Sequence, residues 1–204
     1  MNNYIFDFDG TIADSFWLII DIAHNLTNHP KLLDKNLINK LRDNSLSDLT
    51  SELNIPKYRW PLLLRKGRIE MKSRLTEVKI ISNMDLVIEK LFKSGHNLYI
   101  LSNNSKENLI NFLEEYNLVK YFNDIYGDIG LFKKAKYLNK IIKQNKLAKE
   151  NVIYVGDETR DILASKKINI KVAAVTWGFN SPKVLKLHNP DFIINNPMEL
   201  LKIK

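Results

Sequence analysis

The stretch Asn3-Tyr4-Ile5-Phe6-Asp7-Phe8-Asp9-Gly10-Thr11 limits the folds open to this chain more than any other. Asn3 to Phe8 is rich enough in aromatic and β-branched residues to read as a short, buried strand. A buried strand carries an aspartate only at its edge, so Asp7 marks the C-terminal end. In open parallel sheets that edge is where ligands bind. Asp9 stands two residues further on, and Gly10 lets the backbone turn there. A carboxylate pair so placed is suited to hold a hard cation and to attack an electrophile. The competing reading is a strand followed by a solvated Asp-Gly turn, and the rest of the chain decides between the two.

After Thr11 the pattern turns helical. Phe16, Ile19, Ile20, Ala23 and Leu26 or Thr27 keep the three-to-four spacing of an amphipathic helix that should end near His29-Pro30. Leu37, Ile38 and Leu41 suggest a second helix, and Ser47 to Leu53 a third. Trp60 to Leu75 reads as a longer one, with Pro61 in its first turn. Between Ser15 and about Asn83 no run reads as a strand. Helix and strand then alternate: a helix over Leu86–Phe92 stopped by Gly95, a strand over Asn97–Leu101, a helix over Glu107–Tyr116, and a strand over Phe122–Tyr126. The series continues with a helix over Lys134–Gln144, a strand over Val152–Val155, a helix over Thr159–Lys167 and a strand over Lys171–Val175. A β-α tail over Phe192–Leu201 closes it. This alternation predicts an α/β fold, a parallel sheet covered by helices on both faces. The expected core is residues 1–14 and 83–204. The all-helical insertion, residues 15–82, is placed to form a cap over the strand ends.

Composition narrows the function classes. A chain of 204 residues suits one domain, or one domain with an insertion. Its 45% hydrophobic and 26% charged content is that of an ordinary globular protein. With no cysteine, disulfides and thiolate metal sites are excluded. No run approaches the roughly 20 apolar residues of a membrane span, and the strand-like N-terminus carries no basic leader. No membrane partner is expected, and the setting should be cytoplasmic. The net charge of +8 raises the question of nucleic acid. However, the lysines are spread along the chain, without a basic stripe interleaved with aromatics. An anionic small molecule is the better-supported partner.

The strand ends carry the chemistry. Strand one delivers Asp7 and Asp9, and strand two Ser102 and Asn103. Lys133, Lys134 and Lys136 follow strand three. Strand four delivers Asp157, with Asp161 four residues on. All these ends lie on one edge of a parallel sheet. Clustered carboxylates without Cys or paired His form a hard oxygen site, which points to Mg²⁺. A hydroxyl and an ammonium beside such a site suit a phosphoryl group. His24, His29, His96 and His188 are scattered and form no ligand pair. Arg65, Arg68 and Lys72 share a helix face, read first as solvated and otherwise as an attractor of anions. Phe16 and Trp17 read as packing within the insertion.

Asp7-Phe8-Asp9-Gly10-Thr11 after an apolar strand, Asp14-Ser15 just downstream, Leu101-Ser102-Asn103 ending a second strand, and Gly156-Asp157 with Asp161 resemble the motifs of the haloacid dehalogenase superfamily. The match is to its phosphatases, phosphoglycolate phosphatases among them, and covers essentially the whole chain. The resemblance implies a Rossmann-like core with a helical cap and hydrolysis of a small phosphomonoester. It makes Asp7 the nucleophile that becomes an aspartyl-phosphate, and Asp9 the general acid and base. Mg²⁺ would be held by Asp7, the Asp9 backbone carbonyl, Asp157 and Asp161. Ser102, Asn103 and Thr11 would contact the phosphate. One lysine of Lys133, Lys134 and Lys136 would neutralise it. The family often places a proline after that lysine and this chain does not; Lys134, at the expected helix start, is the choice. Asp9 argues against a dehalogenase. A phosphomutase of the same fold and a phosphatase of nucleic-acid ends are the alternatives. Oligomeric state is left open between monomer and homodimer.

Overall fold

The structure is a computed structural model and describes residues 1–29, 32, 34–43, 55–130 and 133–203. Its centre is β1 (Asn3–Phe6), which pairs in parallel with β4 (Asn97–Leu101) on one side and β6 (Val152–Gly156) on the other. β5 (Asp124–Tyr126) extends the sheet beyond β4, and β7 (Lys171–Val175) and β8 (Phe192–Ile194) extend it beyond β6. The order is β5-β4-β1-β6-β7-β8. The chain thus winds outward from β1 in both directions, which leaves a crevice beyond the C-terminal ends of β1 and β6.

Alternation along β1 explains why both faces are covered. Tyr4 and Phe6 join one buried cluster, with Met84, Val87, Ile88 and Leu91 of α4 (Met84–Lys93) and Leu109, Phe112 and Leu113 of α5 (Lys106–Glu115). Ile5 joins the opposite cluster, with Leu138, Ile141 and Ile142 of α6 (Lys134–Gln144). A strand buried on both faces is mostly apolar, with polar residues such as Asn3 confined to its ends. That is why Asp7 lies beyond the last paired residue. The strand stops at Phe6, two residues short of the expected Phe8, because the chain there bends into a turn. The N–H groups of Thr11, Ile12 and Ala13 all donate to the Phe8 carbonyl, at 2.9–3.1 Å.

The insertion holds α1 (Phe16–Thr27), α2 (Lys35–Arg42) and α3 (Trp60–Ser73). Leu18 and Ile22 of α1 pack with Met71 and Leu75, while Phe16 and Ile20 pack with Leu32, Ile38 and Leu41. The helix expected over Ser47–Leu53 lies outside the described residues. The expectation of no strand before Asn83 fails at one place. β2 (Ala13–Asp14) pairs antiparallel with β3 (Lys79–Ile80) and ties the two ends of the insertion together. Strands of two residues are too short to show a period of two. Beyond α7 (Thr159–Lys167), the structure adds a helix that the sequence pattern does not predict, α8 (Pro182–Leu187), capped by the Ser181 side chain. The terminal helix proves to be a 3₁₀ run, Pro197–Lys202. Among the described residues no helix is long and apolar enough to cross a membrane.

One contact between strand-end loops is unusually close. A Cβ on Gly127, just after β5, would overlap the backbone nitrogen of Lys106. Asp128 N–H donates to the Asn104 carbonyl at 2.8 Å, and the Asp128 carboxylate accepts from Lys106 N–H at 3.1 Å. Gly127→Ala forces these loops apart and should destabilise the protein by about 1–3 kcal/mol. Thermal melting should register this as a fall of about 2–4 °C per kcal/mol; an unchanged melting temperature would show that the loops yield freely.

Candidate active site

Asp7 is held in place by the sheet itself. Its N–H continues the β1–β6 ladder to the Val155 carbonyl at 2.8 Å. Its Oδ1 accepts from Phe8 N–H at 2.8 Å, and its Oδ2 is ion-paired with Lys134. The same Lys134 ammonium binds Asp161 Oδ1. The other Asp161 oxygen accepts from Glu158 N–H at 3.0 Å, at the start of α7. Asp157 Oδ1 accepts from the Thr11 hydroxyl at 3.1 Å, and its Oδ2 from Phe179 N–H at 2.6 Å. Gly10 makes this closeness possible: its φ is +73°, and a side chain there would meet the Asp157 carboxylate. Asp7, Asp157, Asp161 and Lys134 are all buried.

Oxygens of Asp7, Asp157 and Asp161 lie within 4.8 Å of one another, a grouping that could hold a metal ion. Burial raises Asp7 to about 7, with Lys134 acting the other way. Burial also pushes Asp157 up strongly, reinforced by Glu158 and Asp7. For Lys134, burial would lower the pKa, but Asp161 and Asp7 together hold it well above its usual value. Lys134 therefore stays cationic, while its carboxylate neighbours are under electrostatic pressure to gain a proton or a cation.

Asp9 takes a different set of partners. Its carboxyl accepts from the Ser15 hydroxyl at 2.9 Å and from the Asn104 side-chain amide at 3.3 Å. Burial raises its pKa, and these hydrogen bonds act the other way. Asp7, Asp9, Ser102, Asn103 and Asp157 all line one cavity of about 300 Å³. Ser102 Oγ accepts from Asn104 N–H at 3.1 Å and keeps its own proton available to donate.

Most of the residues expected from the sequence come together here, though Thr11 and Asp161 do not line the cavity. Lys134 is buried between two carboxylates, whereas Lys133 and Lys136 are exposed, so the geometry separates the three candidates. Thr11, expected to contact a phosphate, commits its hydroxyl to Asp157 and does not line the cavity. Asp161 lies behind Asp7, fully buried, and ties Lys134 to the first turn of α7. Of the basic helix face, Arg68 lines the cavity and Lys72 pairs with Glu107 at 2.8 Å. Phe16 is buried and lines the cavity, while Trp17 is exposed.

Sequence reasoning missed three contributors. Asn104 completes the run Ser102-Asn103-Asn104 and holds Asp9. Glu158, ion-paired with Arg160, lines the cavity beside Asp157. The loop beyond β7 carries Phe179, whose amide holds Asp157. The signal for this loop is its position: it leaves the C-terminal end of a strand, as the other site loops do. Nothing in the sequence marks its partner. Arg42 of α2 donates to the carbonyls of Gly178 at 3.0 Å and Phe179 at 3.2 Å, so the insertion grips the loop that orients Asp157.

Comparison with known proteins agrees with this geometry. The family model of the haloacid dehalogenase-like hydrolases matches residues 4–175. Phosphoglycolate phosphatase of Synechococcus elongatus is 28% identical over 206 residues, covering 99% of this chain and 96% of its own. That of Aquifex aeolicus is 27% identical over 215 residues, covering 100% and 96%. A solved haloacid dehalogenase-like family hydrolase from Streptococcus pneumoniae has a TM-score of 0.79 at 24% identity, covering 99% of this chain and 97% of its own. That last likeness shows the fold.

The raised Asp7 carboxyl makes stability depend on pH. The metal-free fold binds a proton at about 7 that the unfolded chain releases near 3.9. This contribution is fully present below the unfolded value and is lost as pH rises through the folded one. In chelator, wild type should therefore lose several degrees of melting temperature relative to Asp7→Asn between pH 5 and 8. A divalent cation at pH 8 should raise wild type more than the variant. Parallel pH curves would contradict the assignment.

Proposed function

The chain belongs to the haloacid dehalogenase-like hydrolases, and we propose that it is a phosphatase that hydrolyses a small phosphomonoester through a phosphorylated Asp7. The observation that carries this reading is the divergence of the two aspartates. Asp7 sits with Lys134 against the carboxylate cluster, while Asp9 is turned to Ser15 and Asn104, and both border the same cavity as Ser102. The named relatives support it, being phosphoglycolate phosphatases over nearly their whole length.

In the proposed reaction an Asp7 carboxylate oxygen attacks phosphorus. The bond from phosphorus to the ester oxygen breaks, and Asp9 gives its proton to that oxygen, releasing the alcohol. A raised pKa suits Asp9 to the protonated role. Asp9, now ionised, takes a proton from water, which attacks phosphorus and frees Asp7 and inorganic phosphate. The Ser102 hydroxyl and the Asn103 amide donate to phosphoryl oxygens. Lys134 keeps Asp7 from being repelled by the incoming phosphate. The donor set fits Mg²⁺, since three buried carboxylates supply hard oxygens and the chain has no cysteine. Asp7, Asp157 and the Asp9 carbonyl would hold the ion, with Asp161 behind them, and it would draw charge from the phosphoryl oxygens.

We take residues 15–82 as a cap domain and residues 1–14 with 83–204 as the core, joined by the β2–β3 ribbon. The Arg42 contacts with the loop after β7 support a cap seated over the strand ends. A cytoplasmic setting is proposed from the cysteine-free composition.

Phosphate release with Mg²⁺, measured over a panel of phosphorylated metabolites, tests the reading. Asp7→Asn and Lys134→Ala should nearly abolish turnover while melting as folded proteins. Asp9→Asn should lower kcat by roughly 10²–10⁴. An Asp7→Asn protein that still released phosphate at the wild-type rate would remove the proposed nucleophile.

A further inference from the structure

The cavity does not end at the aspartates. From Asp7 and Asp9 it runs into the helical insertion, between α1 and α3. Ile19, Ala23 and Leu26 contribute from α1, and Leu63 and Met71 from α3. The wall is mostly apolar over this depth, with Phe16 and Trp60 beside the aliphatic side chains. Its polar groups are the Thr27 hydroxyl, the unpartnered Trp60 indole N–H and the exposed Arg68, the one cation of the insertion on it among the described residues. Where the helices pass, α3 presents Gly67, whose missing Cβ would sit 3.8 Å from Leu26 Cδ1 and 3.9 Å from Ile22 Cγ2. Those are ordinary contact distances. A larger side chain here would project into the chamber, and glycine keeps that space open at a cost of about 1 kcal/mol in a helix interior.

Such a chamber rewards one kind of ligand. Apolar groups entering it leave water and gain dispersion contacts with the wall. A carboxylate pushed against the same wall loses its hydration and finds few donors. A two-carbon acid phosphate would also leave most of the aliphatic lining untouched. Most polar groups that could orient a ligand are gathered at the strand edge, where Ser102, Asn103, Asp9 and the Glu158–Arg160 pair stand. The site thus has a polar end for a phosphate and an apolar end for what the phosphate is attached to, as in other concave ligand sites.

Resting on the phosphatase reading above, we propose that the chamber receives the alcohol half of the substrate and that this alcohol is apolar. The substrate class is an alkyl or aryl phosphomonoester of several carbons, not a carboxylated two-carbon phosphate. Gly67, Ala23 and Leu63 then set the length and girth that the site accepts.

Two measurements on the full chain with Mg²⁺ test this. The first compares phosphate release from ethyl, butyl and hexyl phosphate with that from phosphoglycolate. The second measures binding of ethyl-, butyl- and hexylphosphonate by calorimetry. Across the four added methylenes kcat/KM should rise roughly 10- to 100-fold. Phosphonate affinity should rise in parallel, with an increasingly negative heat-capacity change. Gly67→Leu, whose folding is checked by melting, should erase most of the hexyl advantage. Phosphoglycolate turned over better than ethyl phosphate, or no dependence on chain length, would overturn the inference and leave the phosphatase reading standing. No phosphate from any ester, with phosphonate binding still graded by length, would overturn the phosphatase reading and support the ligand class. Ungraded binding in that case would overturn both.

Discussion

Lys134 is the interaction on which the site depends. Asp7, Asp157 and Asp161 are buried within a few ångströms of one another, and three negative charges cannot share such a space unaided. One ammonium lies between two of them, its aliphatic stem buried at the first turn of α6. It fixes where α6 must begin and draws α7 toward β1 through Asp161. It also leaves negative charge unbalanced near Asp157, the carboxylate it does not touch. A lone buried ion pair is a poor source of stability because desolvation offsets attraction. The cluster could hold a metal ion, and the rest of the sheet offsets the cost of burying its charges.

The sheet can offset it because β1 is central and buried on both faces. Its polar side chains, Asn3 and Tyr4, lie at its N-terminal end, away from the turn after Phe6. Loops from neighbouring strands then meet at close range over the same edge. Gly10 admits Asp157, and Gly127 admits the loop that carries Asn104. The insertion contributes to this edge as well. Arg42 holds the loop whose Phe179 amide bonds Asp157, so movement of the insertion would be felt at a carboxylate of the cluster.

Legibility in the sequence is concentrated at the strand ends. Lys134–Gln144 can be read to the residue because Leu138, Ile141 and Ile142 repeat on one face, and Thr159–Lys167 and Lys171–Val175 because the alternation of strand and helix brackets them. Asp7, Asp9, Ser102 and Asp157 stand out because each comes at or just after the end of an apolar run, and Asp161 because it follows Asp157 by four residues. The two-residue strands β2 and β3 carry no period and are invisible. So is α8, a short helix whose signal is a Ser-Pro start. Asn104 and Phe179 act through contacts across the sheet edge, and Arg42 reaches from an element far away in sequence. Such pairings are properties of the fold, with no local pattern to announce them. Burial and partners likewise set Lys134 apart from Lys133 and Lys136, where sequence offers only position.

In the proposed reaction Asp7 attacks phosphorus while Asp9 moves the proton. Crystallising the protein with Mg²⁺ and beryllofluoride, a mimic of a phosphoryl group bonded to a carboxylate, tests it most directly. Beryllium should be bonded to an Asp7 carboxylate oxygen, its fluorines contacted by Ser102 and Lys134, with Asp9 unmodified. Beryllofluoride bonded to Asp9, or an unmodified Asp7 in crystals that bind the reagent elsewhere, would contradict it.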